Sequence, residues 1–224
     1  MEDNADKLEL SVPHIGQCNS WDCGLACARM VLWYCLPNGN LSDFEYQCNA
    51  VGFYQSIWTV DLAYLMRRYG LRHSMHTLTI GVDSGFSKVR FYSSSIQEDE
   101  ARVTTLFARA AQNGVFVEKR EVPLEEVLYQ LSMGNPAIVL VNARLLRCVW
   151  CNKCTYCFMH YCMRNSYDGH FIVVCGYNKA ERLLLYKNPA TRDGLCAMTY
   201  DSFEEARHSY GTDEDILFVH KPLS

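Results

Sequence analysis

The segment QCNSWDCGLAC, residues 17–27, places a thiol where a helix is predicted to begin. Asp22 is among the residue types favoured at a helix N-cap, and apolar residues recur with helical spacing over residues 24–35. Cys23 therefore falls in the first turn of the predicted helix. There the positive end of the helix dipole and the free backbone N–H groups favour the thiolate, which is the nucleophilic form of cysteine. The segment predicts Cys23 as a candidate nucleophile.

Three polar residues elsewhere in the chain could support a nucleophile at this position. His170 stands 147 residues after Cys23, at the start of an apolar strand, and Asn188 follows 18 residues later at the end of the next strand. His170 would act as the base, and Asn188 could accept its ring N–H and fix the tautomer. The Gln17 amide could donate to an oxyanion, together with the backbone N–H of Cys23.

Each of these four residues also fits a purely structural role. Cys23 could be one of several buried thiols and His170 a core histidine, since both residue types are often found inside. Asn188 could be a turn residue before a proline, and Gln17 a surface side chain. Taken together, however, their spacing follows the papain pattern, in which His and Asn come roughly 130–150 residues or somewhat more after the Cys. The set therefore favours a catalytic arrangement over four unrelated structural roles.

Helices are predicted mainly in the first half of the chain and strands mainly in the second. This segregation predicts an α+β domain rather than a doubly wound parallel sheet. We expect one domain over residues 12–222, a flexible segment over residues 1–11 and a Cys-rich insertion at about residues 147–165. The predicted helices cover residues 24–35, 59–69, 97–113, 123–133 and 203–209, and the predicted strands cover residues 71–80, 116–122, 137–142, 170–177, 183–187 and 216–220.

Composition excludes several classes of protein. The 224 residues carry a net charge of −4, which gives no basic footprint for nucleic acid, and the longest apolar stretches are far too short to span a membrane. Residues 1–12 are polar and acidic and lack the apolar core of a secretory signal, so we expect reduced thiols and a cytoplasmic location, with the nucleus as a further location.

Six potential metal ligands are concentrated in the predicted insertion. Their spacing resembles that of iron–sulfur ligands but lacks the usual Cys-Pro ending, so a structural zinc ion held by any four of them is favoured over a cluster. An exposed insertion of unliganded thiols is the remaining alternative. The candidates are Cys148, Cys151, Cys154, Cys157, His160 and Cys162.

The Cys and His regions resemble the bacteriocin-leader-processing peptidases, a branch of the papain-like cysteine peptidases. The residues that carry this resemblance are Gln17, Asp22-Cys23-Gly24, Ala26-Cys27, Met30 and Gly169-His170-Phe171. The sequence departs from that branch at Asn188-Pro189, where the branch usually has Asp-Pro, although papain itself uses Asn. The resemblance implies a papain-like fold in which a Cys-bearing helix packs on an antiparallel sheet that carries His170 and Asn188.

A longer resemblance, over roughly residues 12–219, is to the guanylyl-cyclase-domain-containing protein family. It is carried by Trp21–Leu32, Ser56–Met66, Ala137–Asn142 and Ser209–Phe218. The family name implies conversion of GTP to cyclic GMP with Mg²⁺ or Mn²⁺.

The residues themselves give little support to nucleotide cyclisation. The chain has no G-x-x-x-x-G-K-[ST] loop, and Asp61, Asp83, Asp213 and Asp215 are scattered rather than paired for two metal ions. We therefore favour a thiol hydrolase or peptidase that needs no cofactor and acts on an unidentified peptide or acyl substrate. Guanylyl cyclase is the alternative, and a catalytically weak adaptor that binds protein partners is the second alternative.

Overall fold

The described part of the chain contains one mixed sheet and six α-helices. The computed structural model describes residues 6–37, 39, 41–51, 56–82, 96–151, 167–192 and 194–222. The helices are α1 (Cys23–Cys35), α2 (Phe44–Val51), α3 (Thr59–Arg68), α4 (Ile96–Arg109), α5 (Leu124–Ser132) and α6 (Tyr200–Arg207). The strands are β1 (Lys7–Glu9), β2 (Arg72–Thr77), β3 (Val117–Lys119), β4 (Ala137–Asn142), β5 (Gly169–Asn178), β6 (Leu183–Lys187), β7 (Cys196–Thr199) and β8 (Ile216–His220).

The sheet has the strand order β3-β2-β8-β4-β5-β6-β7, and β1 adds to β5. All pairs are antiparallel except β2 with β3, so the sheet is mixed rather than wholly antiparallel as expected. Every residue of β4 and β6 is buried, and so are eight of the ten residues of β5. Because neighbouring side chains of a strand point to opposite faces, the centre of the sheet is covered on both sides.

Helix α1 is buried on almost every side. Ten of its thirteen residues are buried, which is typical of a helix inside a core rather than of an amphipathic surface helix. The predicted helix over residues 24–35 is confirmed, although Trp33, on the predicted apolar spacing, is 45% exposed. The helix packs mainly against β5, and this contact brings its first turn beside the strand that begins at Gly169.

Strands β5 and β6 form the predicted hairpin. Residues 183–187 match the prediction, and β5 extends the predicted strand by one residue at each end. The register pairs Asn178 with Leu183 and Val173 with Lys187, so the residue after β6 returns to the beginning of β5. This register places Asn188 next to His170, 18 residues earlier in the chain.

The structure of the amino-terminal segment differs from one prediction. The prediction of a flexible segment over residues 1–11 is wrong for Lys7–Glu9, because these residues form strand β1 and pair antiparallel with Gly176–Asn178 of β5. Three residues carry no usable alternation of apolar and polar side chains, and β1 is held by backbone pairing with a distant strand.

Among the described residues, no helix has the length and apolar content that a membrane span requires.

The close approach of β1 to β5 depends on Gly176. A Cβ atom at this position would lie 2.2 Å from the carbonyl oxygen of Leu8 and 3.0 Å from the Cα of Glu9, both main-chain atoms. We expect Gly176→Ala to lower the free energy of unfolding by about 1–3 kcal/mol, because the added methyl group forces β1 away from β5. Denaturant unfolding would measure the change.

Gly194→Ala is the matched control for this substitution. Gly194 is exposed, and an added Cβ meets no heavy atom within 4 Å, so we expect its effect to stay within about 0.5 kcal/mol. Equal stability of the two variants would show that β1 does not pack on β5 as described.

Candidate active site

Cys23 is the first residue of α1, as predicted, and its side chain is buried. It is 8% exposed, and its sulfur accepts hydrogen bonds from the backbone amides of Phe171 and Gly24. Asp22 occupies the N-cap position but makes no side-chain cap. Its carboxylate accepts instead from the amides of Cys18 and Asn19, at 3.2 and 2.9 Å, and so orders the turn before the helix.

Asn188 holds the ring of His170 in one orientation. The His170 Nε2 atom lies 2.9 Å from Asn188 Oδ1, and the same oxygen accepts the backbone N–H of Ala190 at 2.9 Å. Because an amide nitrogen cannot accept a hydrogen bond, the contact with Ala190 identifies the atom facing His170 as the oxygen. His170 must therefore donate from Nε2, and in the neutral ring the lone pair lies on Nδ1.

The turn that carries Asn188 is held by the segment before the helix. His14 Nε2 donates to the backbone oxygen of Asn188 at 2.9 Å. The backbone N–H of Gln17 donates to the backbone oxygen of Pro189, also at 2.9 Å. Thr191 closes the turn through a backbone bond to Asn188. The sequence analysis did not single out His14, because a histidine outside any periodic element carries no local signal of its partner.

The packing of α1 on β5 brings Cys23 beside the strand that carries His170. Phe171, whose amide bonds the Cys23 sulfur, directly follows His170. Both His170 and Asn188 are buried, with 8% and 9% of their surfaces exposed. The structure thus joins His170 to Asn188 by a hydrogen bond and places Cys23 on the helix that packs against their strand.

Burial dominates the electrostatics of this junction. Burial raises the pKa of the Cys23 thiol, and the hydrogen bonds from Phe171 and Gly24 only partly oppose it. Burial also lowers the pKa of His170, against the opposite effect of its bond to Asn188. The amide of Gly24, in the first turn of the helix, lowers the pKa of Cys23, as expected. The net pKa is nevertheless raised, because the cost of burying a charge exceeds these favourable backbone contacts.

Gln17 lies on the turn between the first segment and α1. Its Nε2 donates to the backbone oxygen of Asn19 at 2.7 Å, while its Oε1 is buried without a hydrogen-bond partner. A buried acceptor without a partner is unfavourable, so this arrangement of Gln17 carries an energetic cost.

A groove opens beside the candidate site. It has a volume of about 320 Å³ and extends from the turn before α1 along the outer side of that helix. Polar and apolar groups both line it, among them Gln17, Trp21, Asp22, Leu25, Arg29 and Phe44. Since Asp22 immediately precedes Cys23, a molecule in the groove would lie next to the start of α1.

The predicted metal ligands are only partly within the described residues. Cys154, Cys157, His160 and Cys162 lie outside them, whereas Cys148 and Cys151 are described. A further thiol, Cys196 of β7, joins these two, and the three sulfur atoms lie within 4.8 Å of one another. Cys196 was not among the metal ligands predicted from the sequence, because strand β7 was not predicted and Cys196 lies far along the chain from residues 148–162.

The acidic side chains that a cyclase would need as metal ligands are buried or hydrogen-bonded within the protein, where the structure describes them. Asp61 is fully buried near the start of α3, where its side chain accepts the Trp58 amide at 2.9 Å and pairs with Arg102. Burial raises the pKa of Asp215 to about 7, so this residue favours the neutral acid more than an ordinary carboxyl does. Asp213 accepts from the Thr79 hydroxyl at 2.8 Å. Asp83 lies outside the described residues.

Comparisons with known proteins point in two directions. A family model described as guanylylate cyclase matches residues 12–219. A protein of Arabidopsis thaliana named "Guanylyl cyclase 1" is 35% identical over 212 residues, which cover 94% of this chain and 76% of the relative. A solved structure from Bacillus anthracis, described as a C39-like peptidase, shares the fold with a TM-score of 0.52 and 15% identity. The match covers 97% of this chain and 99% of that one.

The raised pKa of Cys23 predicts how its reactivity depends on pH. We expect the rate of alkylation by iodoacetamide to keep rising above pH about 8.5, the ordinary pKa of a thiol, because burial keeps Cys23 protonated below that pH. Mass spectrometry of the peptide that contains Cys23 would measure the rate.

Cys18 supplies an internal control for this measurement, because it lies on the same turn and is exposed. It reports the accessibility of the turn to the reagent. A Cys23 rate that is already maximal below pH 7 would contradict the prediction, since it would indicate a resting thiolate paired with a charged imidazole.

Proposed function

We propose that this protein, which belongs to the guanylylate cyclase family, is a papain-like thiol hydrolase that cleaves an acyl or peptide bond through Cys23. The observation that carries the proposal is the orientation of His170 by Asn188, with Nδ1 left as the proton acceptor on the residue next to Phe171. A general base needs its tautomer fixed in this way, so that one ring nitrogen is free to accept the proton.

The proposed reaction begins with two neutral groups. The Cys23 sulfur attacks the carbonyl carbon of the substrate while the thiol proton passes to His170 Nδ1. The bond from this carbon to the leaving group then breaks, the leaving group takes the proton from His170, and a thioester forms on Cys23. Water hydrolyses the thioester with His170 again as the base, which restores the thiol.

The start of α1 would stabilise the charge that develops on the substrate oxygen. The first N–H groups of a helix have no partners within the helix, and the backbone N–H of Cys23 is among them. We propose that Gln17 is the second donor, and that substrate entering the groove turns its amide away from Asn19. Hydrogen bonds of this kind are often misaligned until substrate is bound.

The location proposed is the cytoplasm, where reducing conditions would keep Cys23 as a thiol. The proposed substrate is a peptide or another acyl compound. It would bind in the groove beside α1, whose apolar walls and charged rim suit a chain with both polar and apolar groups.

Substitutions of Cys23 and Cys27 test the proposed nucleophile. Both thiols are buried, one turn apart on α1. We expect Cys23→Ala to abolish hydrolysis of activated esters and of a mixed peptide library, and Cys27→Ala to retain it, because the Cys23 sulfur contacts the amide of Phe171, the residue after His170. Turnover of both variants, with circular dichroism to verify folding, is the measurement. Equal loss in the two variants would reject Cys23 as the nucleophile.

Substitutions of His170 and Gln17 test the remaining roles on the same substrate. We expect His170→Ala to lower turnover by about 10²–10⁴-fold, the contribution of a general base, and Gln17→Ala to lower it by about 10²–10³-fold while leaving the fold intact. Unfolding of the Gln17 variant would instead assign that residue a structural role.

Guanylyl cyclase is the second candidate function, and the name of the Arabidopsis relative favours it. Incubation of the purified protein with GTP and Mg²⁺ or Mn²⁺ separates the two activities. Cyclic GMP formation that is unaffected by Cys23→Ala would replace the hydrolase with a cyclase. Absence of both activities would support the adaptor, for which the burial of Cys23 and His170 is the specific observation.

A further inference from the structure

We propose that Cys148, Cys151 and Cys196 form a thiolate site for a zinc ion that joins the segment after β4 to strand β7. The site lies apart from the groove beside α1, and its existence does not depend on the proposed hydrolase. It also revises the ligand set expected from the sequence, because one ligand comes from outside residues 148–162.

The distances between the sulfur atoms suit a metal ion rather than a disulfide. The Sγ atoms of Cys151 and Cys196 are 3.8 Å apart, and all three sulfurs lie within 4.8 Å of one another. A disulfide requires about 2.05 Å. Tetrahedral zinc with Zn–S bonds of about 2.3 Å separates its sulfur ligands by about 3.8 Å. The Cys151–Cys196 pair thus has the spacing of two ligands around one zinc ion, and the Cys148 sulfur lies close enough to be the third.

The main chain holds Cys148 and Cys196 together. The Val149 amide donates to the backbone oxygen of Ala197 at 2.8 Å, and Ala197 also provides a backbone hydrogen bond to the Cys148 sulfur. The amides of Trp150 and Cys151 bond the same sulfur. Backbone N–H groups directed at sulfur stabilise a thiolate, which is the form that binds metal.

Two hydroxyl groups surround the third ligand. Tyr186 is buried and lies opposite Cys196 in the pairing of β6 with β7, and its side chain is hydrogen-bonded to the Cys196 sulfur. The Thr191 hydroxyl, which donates to the backbone oxygen of Asn188 at 3.2 Å, lies near the same sulfur. Outer contacts of this kind orient the ligands of metal sites. They also explain why a buried strand can carry a ligand in this position.

A redox role suits the motif less well. A third cysteine from a distant strand has no part in a simple dithiol exchange, whereas it completes a three-thiolate set. Zinc prefers such sulfur ligands, and its fourth position can hold water or an outside ligand.

Metal titration of the full-length protein tests the site. Protein reduced and freed of metal is titrated with Zn²⁺, and with Co²⁺ as a spectroscopic probe. We expect about one ion per chain, visible cobalt bands of tetrahedral intensity and a thiolate-to-metal charge-transfer band. Cys196→Ala should weaken binding by more than the about 10–100-fold that loss of an outer contact costs.

Cys35→Ala is the control, because Cys35 is equally a buried thiol but lies on α1, away from the cluster. We expect it to bind like the unchanged protein. Cys148→Ala gives a second test that does not disturb the sheet, because Cys148 lies outside it and is only half-buried. Unchanged affinity in both Cys196→Ala and Cys148→Ala would overturn the proposal. A Cys151–Cys196 disulfide in protein purified under reducing conditions would overturn it equally.

Discussion

The packing of α1 on β5 is the contact on which the rest of the structure depends. A helix buried on almost all sides needs a small residue where it approaches its sheet most closely, and Gly24 fills this position. An added Cβ would lie 3.0 Å from Ile57 Cγ2 and 3.1 Å from Phe171 Cδ2. Both are tighter than ordinary contacts, so a larger residue would push the start of α1 away from β5. The same approach sets Cys23 against the Phe171 amide, and core packing and site geometry are thus one constraint.

That constraint has a chemical consequence. Cys23 and His170 are both buried, and both favour their neutral forms because a buried charge is costly. Asn188 offsets part of this cost at His170 through a hydrogen bond of 2.9 Å to its ring. In the hydrolase that we propose, proton transfer would therefore accompany attack, and no stored ion pair would be needed. The same burial fits the proposed adaptor, in which the site would stay closed until a partner rearranges the turn at Gln17.

The family name and the fold carry different information. The relative named as a cyclase is 35% identical, whereas the structure described as a C39-like peptidase shares the fold at 15% identity. A fold alone does not assign an activity, because the same architecture can support different sites. The side chains give a more specific indication. Asp61 is buried and paired with Arg102, while Cys23 begins α1 next to a groove and its sulfur contacts the amide of Phe171, the residue after His170.

Strong local patterns in the sequence determined much of the fold. Apolar runs predicted β4, β6 and β8, and a capping residue before an apolar helix predicted where Cys23 begins α1. The candidate site residues also came from sequence, because their types and order follow a known arrangement. Only the tertiary structure decided the strands β1 and β7, which are three and four residues long and are held by pairing with distant strands. The tertiary structure likewise buries Cys23, which raises the pKa of its thiol, and brings Cys196 close to Cys148. Burial and long-range pairing depend on residues far away along the chain, and local sequence does not record them.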